Sequence, residues 1–270
     1  MRKNTLLAIL AACACVFLAI LFDHDSIMVL LNFSALILVL GGTACLAVAL
    51  GTFEDAKALP KVVKKALLGT PEDPTETIGR IIEMAEVSRK EGLLHLEEFA
   101  GEDPDPFLRR GLELVVDGKD AETIRDVLDG ELDALGSRHA QGARTLKQAG
   151  GFAPTLGIIG TVIGLVHVMT NLSSPQTLGP AIGAAFTTTL WGVLSANIIW
   201  HPMAAKLVRL SEIEVRTKEA IVDGLLAIHA GESPRTVETL LTSYLPARPA
   251  RRSPRTTTED AQAADDGAAA

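Results

Sequence analysis

The feature that most restricts the fold of this chain is a long stretch without any charged side chain. Residues 148–205 contain no Asp, Glu, Lys or Arg. A helix needs about 20 apolar residues to cross a bilayer, so this stretch is too long for a single crossing. Residues 171–176 (NLSSPQ) interrupt it with turn-forming side chains. The sequence therefore predicts two membrane spans here, span three near residues 151–170 and span four near residues 178–202.

Two further apolar stretches lie closer to the N-terminus. Residues 6–22 and 27–51 also lack charged side chains, and only the acidic residues 23–26 separate them. Each stretch can cross the hydrocarbon region as a helix, which gives spans one and two. A signal peptide is the alternative for the first stretch, since Arg2 and Lys3 precede it and residues 10–13 (LAAC) resemble a lipoprotein cleavage box. We favour an uncleaved span, because the apolar run continues well past Cys13.

The distribution of lysine and arginine predicts the orientation of these spans. Neither residue type occurs in the two short turns at 23–26 and 171–176, whereas both flank the opposite ends of the spans. The positive-inside rule then places both termini and the middle segment in the cytoplasm of a bacterial cell, with the chain a multi-pass protein of the inner membrane. The flanking residues are Arg2, Lys3, Lys57, Lys61, Lys64, Lys65, Arg144, Lys147, Lys206 and Arg209.

The predicted fold class is an all-α membrane protein. It has four transmembrane helices, a helical cytoplasmic domain between spans two and three, and a cytoplasmic C-terminal helix, because apolar residues outside the spans recur at helical spacing. The last residues are poor in apolar side chains, which predicts disorder. The predicted parts are a transmembrane hairpin (1–51), the cytoplasmic helical domain (52–147), a second transmembrane hairpin (148–205), a cytoplasmic helical extension (206–245) and a disordered tail (246–270).

Composition argues against several classes of protein. A net charge of −8 disfavours a nucleic-acid binder, and an aromatic content of 4% disfavours a transmembrane β-barrel. The 3 cysteines show no Cys-x-x-Cys spacing, so neither a zinc site nor a disulfide framework is expected. The histidines are scattered, and we identify no nucleophile with a base beside it. We therefore expect no enzymatic activity, no catalytic residue, no metal site and no cofactor.

Spans three and four are rich in small and hydroxyl-bearing residues. Gly157, Gly160 and Gly164 fall near one helix face, which allows a second helix to approach closely. The threonines at 187–189 can satisfy carbonyls of their own helix, or their oxygens can line a path for a cation. Pro154 can cap the first turn of span three or bend the helix, and the sequence leaves both open.

The four predicted spans contain no Asp, Glu, Lys or Arg. A protein that moves protons or cations normally needs a charged or titratable site within the membrane. If this chain takes part in ion transport, a partner must supply the carboxylate. Without such a partner, the chain is not expected to be a transporter.

Several segments, in the same order and spacing, resemble the flagellar stator A-subunits, the MotA and PomA family. The resemblance covers roughly residues 5–245. It is carried by residues 30–43 (LLNFSALILVLGGT), 88–97 (SRKEGLLHLE), 151–165 (GFAPTLGIIGTVIGL), 178–182 (LGPAI), 188–192 (TTLWG), 196–197 (AN) and 233–238 (SPRTVE).

The resemblance implies a partner and a function. Five A-subunits would surround two subunits of the MotB or PomB type, whose single span supplies the missing aspartate. Passage of H⁺ or Na⁺ would then move the ring, which pushes on the rotor protein FliG. The match implies rotor-interface roles for Arg89 and Glu97, coupling roles for Pro154 and Pro234, and ion-path positions for Thr161, Thr188 and Thr189.

Two other functions are compatible with the residues. One is an ion-driven energiser of the ExbB and TolQ kind, which powers work at the outer membrane. Those proteins have three spans, so the N-terminal hairpin predicted here favours the stator family. The other is a membrane scaffold that transports nothing, which would bind no aspartate-bearing partner.

Overall fold

Every regular element in the described part of the chain is a helix, which confirms the all-α prediction. The computed structural model describes residues 4–22, 32–71, 73–170, 172–173 and 175–245. The acidic turn at 23–26, the beginning of the second apolar stretch at 27–31 and the predicted disordered tail lie outside the described residues.

The N-terminal half begins with two apolar helices. Helix α1 spans Asn4–Phe22. Helix α2 runs over Phe33–Ala49 and contains a π-helical turn at Ile37–Gly41. It begins at Asn32, whose side-chain oxygen accepts hydrogen bonds from the backbone N–H groups of Ser34 and Ala35.

Helix α3, Phe53–Leu68, follows α2 almost directly. Thr52 and Asp55 form a capping box at its first turn, with Thr52 Oγ1 accepting from Asp55 N and Asp55 Oδ2 accepting from Thr52 N at 2.8 Å. The pKa of Asp55 is lowered because its carboxylate accepts from the backbone N–H of Thr52 and, to a smaller extent, from the Thr52 hydroxyl.

The middle of the chain folds into three short helices and the first part of a long one. Helix α4 spans Pro74–Glu91, α5 spans Leu96–Glu102 after a 3₁₀ turn at Leu93–His95, and α6 spans Pro106–Val116. In α4 and α6 an aspartate caps the N-terminus and a proline occupies the first helical position, where its missing N–H is not needed.

Two long helices dominate the C-terminal half. Helix α7 is Ala121–Thr170, and its 50 residues extend about 75 Å. Helix α8 is made of three consecutive segments, Pro175–Ser195, a π-helical turn at Ala196–Trp200, and His201–His229. Helix α9, Pro234–Thr242, follows a turn in which Gly231 has a φ of 75°.

The main apolar core lies between α4, α5, α6, α9, the N-terminal part of α7 and the C-terminal part of α8. It is built from fully buried side chains such as Ile81, Leu108, Leu128, Leu225 and Leu241. A second, smaller core joins α3 to α7 and α8 through Ala66, Leu146, Met203 and Leu207.

Helices α7 and α8 are long and apolar enough to cross a membrane, whereas the apolar parts of α1 and α2 are shorter, at Leu7–Val16 and Phe33–Ala49. Large apolar side chains remain exposed on the predicted spans, among them Ile158, Val162, Ile163, Phe186 and Val193. An apolar surface of this kind is typical of contact with lipid or with a partner helix.

Candidate ion-path site

Helices α7 and α8 approach each other through glycine. A side-chain carbon at position 157 would lie 3.1 Å from Thr188 O and 3.3 Å from the Cα of Gly192. A side-chain carbon at Gly164 would lie 2.6 Å from Ala185 Cβ, and one at Gly160 would overlap the Thr188 methyl group. The close helix contact predicted for these three glycines is thus present, and α8 is the helix that makes it.

This contact brings Thr161 of α7 and Thr189 of α8 together. Thr161 Oγ1 lies 3.0 Å from Gly157 O and 3.2 Å from Ala185 O. Thr189 Oγ1 lies 3.2 Å from the same Gly157 O, and the two hydroxyl groups touch each other. We call these two hydroxyls and two carbonyl oxygens the oxygen cluster.

The oxygen cluster has a consistent hydrogen-bond arrangement. Because the two hydroxyl groups touch, the Thr189 hydroxyl can donate to Thr161 Oγ1 while the Thr161 hydroxyl donates to Gly157 O or Ala185 O, and both hydroxyl oxygens keep lone pairs. Such oxygens can bind a partly dehydrated cation or a water molecule. The cluster carries no formal charge, so it cannot by itself offset the cost of placing a cation in the hydrocarbon region.

Thr188 has a different environment from its neighbour. Its hydroxyl donates to Ala184 O of its own helix at 3.2 Å, and its side chain is buried against Gly160. It lines a cavity of ≈ 280 Å³ between α2, α7 and α8, which Ser34 and His167 also line. The structure therefore places Thr161 and Thr189 in one cluster and Thr188 on the side that faces α2.

Pro154 lies in the interior of helix α7, so the alternative that it caps the first turn of span three is wrong. The helix begins at Ala121, far upstream, because Asp120 caps it by accepting from Thr123 N at 2.7 Å. Pro154 leaves one carbonyl of the preceding turn without its helical donor. Its Cα lies 3.3 Å from the position that a side-chain carbon of Gly192 would occupy, so it packs directly on α8.

The predicted rotor-facing residues lie where α4 ends and α5 begins. Arg89 is exposed in the last turn of α4, and Glu97 is exposed in the first turn of α5. Gly92, with a φ of 93°, turns the chain between them. Arg89 Nη1 donates to Gly231 O at 3.2 Å, which ties it to the turn before Pro234, the first residue of α9. The roles of these residues remain predictions.

Comparison with known proteins agrees with this architecture. Residues 100–220 match the MotA/TolQ/ExbB proton channel family. Motility protein A of Bacillus subtilis (strain 168) is 36% identical over 252 residues, which make up 92% of this chain and 92% of that protein. This chain belongs to the MotA/TolQ/ExbB proton channel family.

Two further comparisons extend over nearly the whole length. The chemotaxis protein PomA of Vibrio alginolyticus is 34% identical over 245 residues, covering 91% of this chain and 96% of PomA. A chain of the C. jejuni MotAB structure superimposes with a TM-score of 0.88 at 26% identity, covering 94% of this chain and 100% of that chain. The resemblance inferred from the sequence segments is thereby confirmed.

Two features of this MotA/TolQ/ExbB family member were missed in the sequence, namely the π-helical turns of α2 and α8. They meet beside Pro154, since Val39, Ala153 and Ala196 form one fully buried cluster. Irregular turns of this kind often occur at functional sites, because they loosen the regular helix bonding. Residues 196–200 contain no sequence pattern that would predict the π-helical turn in α8. In α2, the adjacent Gly41 and Gly42 are only a weak indication of such a turn.

The sequence patterns also did not predict a polar cluster that lies below the predicted spans of this family member. His139 of α7 lies 3.4 Å from Lys65 Nζ of α3 and 3.2 Å from Ser211 Oγ of α8, and Lys65 forms an ion pair with Glu214 at 3.0 Å. Burial, followed by the charge of Lys65, lowers the pKa of His139, and Glu214 opposes the shift. A neutral imidazole fits both contacts, with Nε2 accepting from Lys65 and Nδ1 donating to Ser211.

Proposed function

We propose that this chain is the ring-forming subunit of an ion-driven stator of the bacterial flagellar motor. The observation that carries the proposal is the extent of the similarity, since the chain aligns over 92% of its length with a curated motility protein and 94% of it superimposes on a chain of a MotAB structure. The role of the family is that of an ion-channel component, which is not an enzymatic one.

The proposed topology has four spans with both termini in the cytoplasm of the cell. Helices α7 and α8 supply spans three and four, and the stretches around α1 and α2 supply spans one and two. A single-span partner of the MotB or PomB type would supply the membrane aspartate that these spans lack. The family resemblance supports a homopentamer around this partner.

The oxygen cluster supports a place for the ion path. A partner carboxylate beside Thr161 and Thr189 would give a passing H⁺ or Na⁺ both a counter-charge and neutral oxygen ligands. Binding of the ion would neutralise that carboxylate, and release of the ion would restore its negative charge. Each change would alter which contact between the partner and the ring is favoured. The two π-helical turns meet beside Pro154, which precedes Gly157 of the cluster by one helical turn, and we propose that these three features absorb the resulting helix movement.

The movement would reach the rotor through α7 and α8. Both helices continue from the predicted spans into the cytoplasmic core, and α4 and α9 pack on that core. Arg89 and Glu97 would then act on FliG by charged contacts. The hydrogen bond from Arg89 to Gly231 O supports a common surface formed by α4 and the turn before Pro234.

An energiser of the ExbB and TolQ kind is not favoured. The chain matches a motility protein and a chemotaxis protein over more than nine-tenths of its length. A scaffold without transport is not favoured either, because the relatives that match over most of this chain are a motility protein and a chemotaxis protein.

Swimming of a strain that carries single variants of this chain tests the proposal. We expect Arg89→Glu and Glu97→Lys to reduce swimming because each reverses a charge on the proposed rotor surface. We expect Pro154→Ala to reduce swimming because alanine supplies the backbone N–H that proline lacks, and the restored hydrogen bond makes α7 regular at this turn. Membrane levels are measured by immunoblotting, and filaments are counted by microscopy.

Lys119→Glu is the matched charge reversal, since Lys119 is exposed on the cytoplasmic part but lies in the turn before α7. It should swim like the parent strain. Normal swimming of all three test variants at normal membrane levels would exclude a stator role. Replacing Na⁺ with K⁺ in the medium then distinguishes the two ions, because only a sodium-driven motor stops.

A further inference from the structure

Helix α3 occupies a defined position at the cytoplasmic end of span two. Only residues 50–52 separate it from α2, so its first turn lies next to the proposed membrane boundary. Two polar contacts fix it against the long helices. Lys65 forms an ion pair with Glu214 at 3.0 Å, and Lys206 Nζ donates to Leu67 O at 3.1 Å.

One face of α3 is packed and the opposite face is free in the described chain. The packed face consists of Ala66, which is fully buried, and the partly buried Leu59, Val62, Val63 and Leu67. Successive residues of a helix are rotated by about 100°, so positions 53, 57, 61, 64 and 68 fall within an arc of roughly 80°. We call this arc the lysine stripe; its residues are Phe53, Lys57, Lys61, Lys64 and Leu68.

All members of the lysine stripe are exposed. The apolar residues at its two ends are Phe53 and Leu68, with 77% and 53% of their surface accessible. Lys57, Lys61 and Lys64 have no ion pair with any residue in the described ranges, in contrast to Lys65 beside them. Lys57 Nζ lies 4.6 Å from the centre of the Phe53 ring. The exposed Glu54 flanks the stripe, and Asp55 is used in the capping box.

We propose that the lysine stripe binds the phosphate headgroups of anionic phospholipids in the cytoplasmic leaflet. Three unpaired lysines on one arc form a positive row that complements an anionic lipid surface. The exposed Phe53 and Leu68 can insert at the boundary between headgroups and acyl chains, as apolar residues of interfacial helices do. The occupant is lipid, because the stripe begins where span two reaches the membrane surface.

Lipid binding to the purified full chain, co-expressed with its single-span partner, tests this inference. Native mass spectrometry in detergent measures the uptake of phosphatidylglycerol, which is anionic, and of phosphatidylcholine, which is zwitterionic. The test variant combines Lys57→Gln, Lys61→Gln and Lys64→Gln. Each lysine close to an anionic surface contributes about a fivefold factor in affinity. We therefore expect the half-saturating concentration of phosphatidylglycerol to rise roughly a hundredfold in the triple variant.

The matched control removes the same charge elsewhere, by combining Lys90→Gln, Arg110→Gln and Lys119→Gln on the exposed cytoplasmic surface. It should keep the parental affinity for phosphatidylglycerol. Added salt should weaken phosphatidylglycerol binding to the parent chain but not phosphatidylcholine binding. Equal uptake of both lipids by the parent chain, or an unchanged affinity in the triple variant, would overturn the inference.

A photo-activated cross-linker at position 64 identifies the occupant in intact cells. Label on lipid supports the inference, whereas label on a second copy of this chain or on another protein contradicts it. The inference rests on the proposed membrane topology and not on torque. Its failure is therefore distinguishable from failure of the stator function, because neither readout depends on swimming.

Discussion

At the scale of single residues, Thr161 has the most connected hydroxyl of the oxygen cluster, with Gly157 O, Ala185 O and the Thr189 hydroxyl around it. Thr161→Val keeps the shape of the side chain but removes this oxygen. We expect ion-driven rotation to slow by about tenfold, the factor that ~1.4 kcal/mol represents and within the range for one lost polar interaction. Rotation of tethered cells at fixed ion-motive force measures the effect.

Thr187→Val is the control for this substitution. Thr187 is buried whereas Thr161 is partly exposed, and the Thr187 hydroxyl donates to Gly183 O of its own helix at 2.8 Å. Its loss should leave rotation near the parental speed. Equal slowing by both substitutions would indicate a general packing effect and remove the reason to place the ion path at Thr161.

The division of the threonines between two environments shows the limit of sequence at this scale. Neighbouring positions on a helix are rotated by about 100°, so Thr188 and Thr189 cannot both face one cluster. Which of the two faces it depends on the rotation of α8 against α7. That rotation is set by the glycine contacts, and the spacing of Gly157, Gly160 and Gly164 predicts a close approach without identifying the opposing residues.

At the scale of helices, the bounds of α6 and α9 were close to predictable because capping residues and prolines mark them. Asp120 marks the start of α7 in the same way, but the length of α7 was not predictable, since Pro154 looks like a helix start and lies inside the longer helix. Helix α7 tolerates the loss of the backbone hydrogen bond at Pro154, because the neighbouring α8 packs on the same turn through Gly192. The π-helical turns of α2 and α8 leave no clear sequence signal for the same reason: packing against a neighbouring helix decides them.

Gly192→Ala tests how closely α7 and α8 must pack. The new methyl carbon would lie 2.7 Å from Ala153 O and 3.0 Å from Gly157 Cα, and both are backbone atoms that cannot rotate away. We expect the helix pair to lose about 1–3 kcal/mol, the usual cost of overpacking. The midpoint of thermal unfolding in detergent should fall, and less partner subunit should co-purify.

Gly130→Ala provides the comparison within α7. Position 130 is exposed, and a side-chain carbon there would meet no described atom within 4 Å. Since alanine favours a helix interior over glycine by about 1 kcal/mol, this variant should be as stable as the parent chain or slightly more stable. A Gly192→Ala variant as stable as Gly130→Ala would mean that the close approach is not required.

At the scale of the whole molecule, the predicted border between cytoplasmic domain and spans at residues 147–148 falls inside one continuous helix. The same holds for α8 at residues 205–206. Hydropathy locates where a helix enters the membrane, but it carries no information on whether the helix ends there. Two helices that are continuous in this way can transmit a rotation or tilt from the oxygen cluster to the surface around Arg89.

Ala140→Pro tests this transmission. Ala140 is exposed, lies between the main apolar core and the predicted third span, and has helix α7 on both sides of it. A proline in a helix interior costs about 3 kcal/mol and bends or breaks the helix. We expect normal membrane levels and normal co-purification of the partner, with swimming reduced to the level of a strain that lacks the chain.

Ala121→Pro introduces the same residue at the first position of α7, directly after the capping Asp120. Proline is well tolerated there, because the first helical N–H has no partner within the helix. This variant should swim normally. If Ala140→Pro also swims normally while its membrane level is unchanged, the cytoplasmic part moves independently of the spans, and force must reach the rotor by a route other than continuous α7.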